Sequence, residues 1–453
     1  MTLAAGRRAS LVLVLLATVG LGAGLRLAHL DEMEYKRDER WTYSHTVLAA
    51  TTGAIPARGM PSGIAVPNAA LSLLVFVGLS GGSAPDTPVA LTTRVVWLNV
   101  AALLLLVAFS ETGVEAHERA AWRWSAALMA VSPFAVLLER KLWAQSTLPI
   151  VSLLFLAGWF RRDRWWGSSL WGFVSAVIGQ IHMSGLFYAA AFGLWTATTR
   201  STTDPQPVSW RWWTSGFMVG SFGLLQWALE LVRGGLQQVA APVSDTVLPI
   251  APLHAVPASG IMNWHLLSLW PSFWWNWLCD ASGFGLNYSL GDHYLAFLAT
   301  PSVGGHDTWL MAITAATSLV IALTAALPSV HELLRTARTW GAPRNAVPIG
   351  NTPAALVVAG GVFGVMLTAT FHTIHRHYLA VLVPLPWVWL SRSLLGRRRG
   401  QALLCCVWFA QLVLTLGVLH FIHVHHGAPG SDYGIAYRWQ VLDPVYGDIS
   451  TRR

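Results

Sequence analysis

Apolar runs of about 20 residues, set off by short loops that carry arginine, constrain this chain more than any other feature of it. Such runs occupy 9–30, 89–110, 212–232, 308–328, 353–371 and 402–421, with shorter ones between them. A helix of that length satisfies its own backbone groups while it crosses hydrocarbon, which an open strand or loop cannot do. At 453 residues the chain would suit about two or three soluble domains, but 54% hydrophobic and 11% charged residues exclude an ordinary soluble protein. The formal charge of +8 sits in short Arg and Lys clusters rather than one basic stripe, so nucleic-acid binding is not expected. Of the three cysteines, Cys405 and Cys406 are neighbours in an apolar run and Cys279 stands alone, which is no disulfide framework.

Arginine fixes the direction of each crossing. Arg7 and Arg8 precede 9–30, which resembles a signal peptide but is about 20 residues long and lacks a small-residue cleavage site; a retained, outward first helix is expected. Residues 31–88 then form a first outer loop, with interfacial pieces at 41–52 and 69–79 separated by Pro56, Pro61 and Pro67. Residues 89–110 return to Arg119 and Arg123, 124–138 go out, and 146–160 come back to Arg161–Arg164. A hairpin of 170–181 and 184–199 has His182 at its outer tip; 212–232 go out to a second outer loop, 233–305, rich in tryptophan (Trp270, Trp274, Trp275, Trp277). These tryptophans read first as an aromatic belt and second as a sugar platform. Residues 308–328 return to Arg335, Arg338 and Arg344, 353–371 go out, 378–390 return to Arg392 and Arg397–Arg399, and 402–421 leave 422–453 as an outer tail. The expectation is an all-α, polytopic integral membrane protein of about eleven spans, with one domain over 1–421, a cytoplasmic N-terminus and two large extracytoplasmic loops.

With the spans placed so, the ionisable groups outside the arginine clusters gather at the outer face. They are Asp38 and Glu39; Glu139, Arg140 and Lys141; His182; and His375, Arg376, His377 and Tyr378. A transporter more often carries its acids and amides near mid-membrane, where this chain offers chiefly Gln226, Glu230 and Gln411. An interfacial site of this kind needs an acid to take a proton and cations to hold an anionic group. Asp38 and Glu39 supply the first; taken alone the pair reads first as solvated loop acids. Arg140, Lys141 and Arg376 supply the second, or else Arg140 and Lys141 pair with Glu139 at a helix end and Arg376 anchors at the interface. His182 lines the site or packs as a satisfied polar residue. His375, Arg376, His377 and Tyr378 open an outer helix start, where backbone N–H groups and a guanidinium hold phosphate well. His420, His423, His425 and His426 lack acidic or thiol partners nearby in sequence, so no metal site is assigned; no cofactor motif is present, and a divalent metal is the one cofactor left open.

Several ordered stretches together resemble the GT-C glycosyltransferases: Asp38–Glu39 after an outward first helix, SPFAVLLERKLWAQ at Ser132–Gln145, GQIHMSGLFY at Gly179–Tyr188 and HRHYLAVLVPLPWVWL at His375–Leu390. Within that superfamily the chain is similar to the branch of protein O-mannosyltransferases and the aminoarabinose lipid A transferase, family 39-like, and DYGIAYRWQ at Asp432–Gln440 resembles endings of bacterial members. The resemblance implies a GT-C fold, a polyprenyl-phosphate-linked sugar as donor, inversion at the anomeric carbon, and Asp38 as the base that activates the acceptor, with Glu39 beside it. Glu139 falls near a second outer acid of the family, while GIAVPN at Gly63–Asn68 departs from its usual cation-Pro-Pro tract. The expected partners are the lipid-linked sugar, the bilayer and a glycan, lipid or protein acceptor, with the active site on the extracytoplasmic side of a plasma (inner) membrane. The alternatives are a polytopic transporter or lipid flippase without transferase activity, and an assembly protein that keeps the fold without the site.

Overall fold

The computed structural model describes residues 2–60, 68–199, 207–240, 265–339, 350–369 and 374–442. Most of them are helical, and one hydrophobic core joins residues from Val19 to Ala436. Among the described residues three helices are long and apolar enough to cross a membrane: Pro88–Thr112, Asn351–Thr368 and Gly400–His425. A fourth crossing is reached if Arg376–Leu382 and Leu385–Leu395, bent by 70°, count as one span. Leu13–Leu27, Ala144–Phe160 and Leu310–Ala326 are shorter apolar helices. Large apolar side chains face outward along 218–232, with Phe222 82% and Val219 68% exposed, as a lipid-facing surface requires.

Prolines and small residues decide where the expected crossings break. Residues 124–138 form two helices, Arg119–Val131 and Pro133–Leu138, because Pro133 forces Ser132 into an extended conformation. The same chemistry divides 378–390, where Pro384 stands between a 3-10 turn, Arg376–Leu382, and the helix Leu385–Leu395, whose first turn accommodates Pro386. Residues 212–232 are likewise two helices, Trp210–Gly220 and Phe222–Ala240, meeting at Ser221. The hairpin around His182 forms as expected, from Trp165–Ile181 and Ser184–Thr198. Its first helix packs on Trp210–Gly220 through Gly172, Gly216 and Gly220, where added methyl groups would strike facing backbone; small residues four apart permit that approach. Gln180 Nε2 seals the contact by donating to the Gly220 carbonyl at 2.7 Å.

Two regions expected as outer loops contain built structure. The first carries the helices Arg37–Thr52 and Leu71–Leu79; most of Gly63–Asn68 lies outside the described residues. The second begins with the end of Phe222–Ala240 and later carries a helix, His265–Ser282, whose Trp277 is buried against Phe273 and Trp389, so that this tryptophan belongs to the core, while Trp270 and Trp275 remain over 40% exposed. The described part of the C-terminal tail is no free appendage. A short hairpin, Gly427–Ala428 with Gly434–Ile435, and a helix, Tyr437–Leu442, lie over residues 32–40, where Tyr437 donates its N–H to the Met33 carbonyl and the Tyr433 hydroxyl donates to the Glu32 carbonyl at 2.6 Å.

The break at Ser132 also explains a fully buried charge. A helix that stops leaves its last carbonyls without partners. Here Arg26, from the first helix Thr2–Leu27, donates to Ala130 O at 2.9 Å and Met129 O at 3.1 Å, and Thr415 donates to Val131 O at 2.6 Å. Arg26 Nε reaches Glu139 Oε2 at 2.5 Å, with both side chains fully buried. Removing one partner strands the other charge, so Glu139→Leu should cost about 3–5 kcal/mol, and Arg26→Leu combined with Glu139→Leu should recover much of it. Denaturant unfolding of purified protein in micelles, followed by tryptophan fluorescence, measures both; a double variant no more stable than Glu139→Leu would contradict the assignment.

Candidate functional site

The acidic run after the first helix folds with its glutamates inward. Glu32, Glu34 and Glu39 are at most 1% exposed, whereas Asp31 is half-exposed and Asp38 partly so. Adjacent positions on a helix point about 100° apart, so 38 and 39 part company at the start of Arg37–Thr52. Glu39 turns back to accept the Lys36 backbone N–H at 2.9 Å, satisfying a donor that the helix start would leave open. Asp38 forms no hydrogen bond or ion pair among the described residues, which leaves its carboxylate available to something from outside.

Glu34 is the hub of an ion cluster drawn from three parts of the chain. Lys36 Nζ lies 2.8 Å from Glu34 Oε1 and 3.2 Å from Asp432 Oδ1, while Lys141 Nζ contacts Glu34 Oε2 and stands 3.9 Å from Asp432 Oδ2. Lys141 therefore pairs with Glu34, not with its neighbour Glu139, which is bound to Arg26. Arg140 also turns away from Glu139: it donates through Nη2 to the His29 carbonyl at 2.6 Å, and its buried Nε and Nη1 have no partner among the described residues.

On its other side Lys141 enters a small cleft, with about 30 Å³ of enclosed room, that opens to solvent. Its walls are apolar (Phe134, Leu137, Leu138, Leu286), and its polar groups are Lys141, Trp143, Tyr288, Ser289, Arg376 and His377. Lys141 Nζ sits 4.8 Å over the Trp143 ring. Arg376 lies 4.2 Å over the Phe134 ring; its Nε donates to Asp280 Oδ1 at 2.5 Å and its Nη1 to the Gly285 carbonyl. A side chain at Gly285 would occupy the guanidinium's place, so glycine there admits Arg376. Burial pushes the Asp280 carboxyl up to about 6, against the lowering by Arg376.

The histidines expected here do assemble. His377 lies edge-on to Trp143 at 5.3 Å and to His182 at 5.9 Å, and stacks with the exposed His375 at 5.4 Å. Tyr378 packs against His182 at 5.5 Å. His182 Nδ1 meets the Ser184 hydroxyl at 2.7 Å, and burial lowers its imidazole to about 4, keeping it neutral. Lys141, Arg376 and His377 thus share the cleft, with His182, His375 and Tyr378 behind it. Asp38 is not among the cleft's lining residues, and Glu39 adjoins it through the Glu34 cluster. The partners that sequence reasoning did not single out are Glu34, Asp280, Tyr288 and Asp432. Asp432 opens the stretch that resembles the endings of bacterial members, but nothing in sequence connects it to Glu34, nearly 400 positions away.

No protein-family model matches the chain, and neither a curated protein nor a solved structure does.

Burial, with Glu34 nearby, pushes the Glu39 carboxyl up to about 8, partly offset by Lys141 and Lys36. A folded value above the ordinary 4.5 means that the folded state holds a proton the unfolded chain releases, so stability falls as pH rises between these values. Glu39→Gln keeps an acceptor for the Lys36 N–H and removes the titration. Thermal unfolding from about pH 5 to about pH 9 should show the variant gaining on the parent as pH rises; parallel profiles would contradict this.

Proposed function

We propose that the chain is an inverting glycosyltransferase that moves a sugar from a polyprenyl-phosphate donor to an extracytoplasmic acceptor. The observation that carries this reading is the convergence of Lys141 and Arg376, 235 positions apart, in one apolar-walled cleft. An amphiphile with a phosphate head suits such walls better than a freely soluble anion, because isoprenoid and leucine surfaces leave water together while the two cations meet the charge. Tyr288 and Trp143 offer an aromatic edge and face for the sugar. In the step, the acceptor hydroxyl gives its proton to the carboxylate of Asp38, the base that the resemblance names and that stands outside the lining of the cleft; the acceptor oxygen forms the new bond at the anomeric carbon, and the bond from that carbon to the phosphate oxygen breaks with inversion. The phosphate leaves with both electrons, stabilised by Lys141 and Arg376, so no separate general acid is required. Glu39 sets the start of the helix that carries Asp38.

With this reading go the GT-C arrangement of about eleven spans, a cytoplasmic N-terminus and placement in the plasma (inner) membrane. The resemblance of the ordered sequence stretches supports it alongside the cleft. A flippase or transporter is the second reading, favoured by the 70° bend between Arg376–Leu382 and Leu385–Leu395, since broken spans are common where substrates cross. The two readings diverge on product. In a strain lacking the chain, the parent gene should restore a sugar modification to an envelope lipid, glycan or protein, read by mass spectrometry. Asp38→Asn should restore none of it at equal protein level, and restoration at the parental level would refute the proposed base.

A further inference from the structure

The two ends of the described chain meet at a second cluster of ligating side chains, none of which lines the cleft. His29 stands just past the first helix with a φ of 47°, Glu32 closes the 3-10 turn Leu30–Glu32, and His423 lies in the last turn of Gly400–His425. A left-handed backbone at a histidine costs energy that glycine would avoid, and here it swings the imidazole toward the last helix. The His29 and His423 rings lie 4.6 Å apart, and His423 Nδ1 is 2.7 Å from Glu32 Oε1. One ligating atom from each of the three residues lies within 4.8 Å of the others. Glu32 is 1% exposed, and its second oxygen, Oε2, is buried without a hydrogen-bond partner among the described residues. A carboxylate that has lost water on one oxygen and not replaced it is costly, and a cation is the ordinary remedy.

We propose that His29, Glu32 and His423 bind a divalent ion of the zinc class. Two imidazole nitrogens and one carboxylate oxygen are a donor set that such ions take with a fourth position left to water, and the exposed His29 leaves that position and an entry path open. Arg438 Nη1 stands 3.9 Å from Glu32 Oε1 and 3.5 Å from Asp31 Oδ2, so Asp31 is the guanidinium's nearer partner and Glu32 can turn to the metal. The ion would fasten the end of the last long helix to the segment between the first helix and Asp38. This inference does not depend on the transferase reading: a chain that transfers nothing can still bind the ion.

The test uses the full chain, purified in detergent without a histidine tag, stripped with a chelator and titrated with zinc chloride. One zinc per chain is expected, with affinity falling by about tenfold or more in His29→Ala, a substitution at an exposed residue that leaves packing intact. His423→Cys should keep the metal and, loaded with cobalt(II), gain a thiolate-to-metal charge-transfer band that the parent lacks. A folded parent that binds no stoichiometric zinc, or an affinity unchanged in His29→Ala together with no such band in His423→Cys, would overturn the site and leave a plain histidine–glutamate hydrogen bond.

Discussion

An ammonium group cannot be held at the edge of an apolar bundle without a carboxylate to meet it, and Lys141 is met by Glu34. That pair depends on three breaks in regular structure. Pro133 halts one helix early, so that residues 139–141 pass between helices and their side chains can diverge toward Arg26, His29 and Glu34. The segment after the first helix must turn its acids inward rather than into water. The C-terminal hairpin must fold back far enough to bring Asp432 against Lys36. Each feature would leave a buried charge unmatched if the others failed, and together they hold the ion cluster to one geometry.

The cleft follows from that geometry. Lys141 has an acid on one side and open space on the other, and Arg376 is placed similarly, tied through Nε to Asp280 and flat against Phe134. Both cations are therefore fixed before any ligand arrives, which limits the ordering cost of binding an anion. The neutral His182 and its neighbours His377 and Tyr378 fill the wall behind them without adding charge.

The placement of helices was legible in part, because hydropathy reports where a chain can cross a membrane. The hairpin about His182 and the helices Pro88–Thr112 and Gly400–His425 coincide with apolar runs of the sequence. Pairing was less legible. ERK at 139–141 reads as a local salt bridge, yet its three side chains reach three distant partners, since Ser132 and Pro133 redirect the chain in a way that charge spacing does not express. Trp277 reads as belt and is core, because the helix that carries it packs against 358–364. The C-terminal histidines read as lacking an acid, and Glu32 stands beside His423 from the other end of the protein.

In the proposed reaction the cleft of Lys141 and Arg376 is the seat of a lipid-linked phosphate. Photolabelling tests this without altering the protein: a polyprenyl phosphate bearing a diazirine on its first isoprene is irradiated with the purified chain, and the modified peptides are mapped by mass spectrometry. Label concentrated in 134–143 and 286–289, and displaced by unlabelled polyprenyl phosphate, is the predicted result. Label spread over the lipid-facing helices and indifferent to competitor would contradict it.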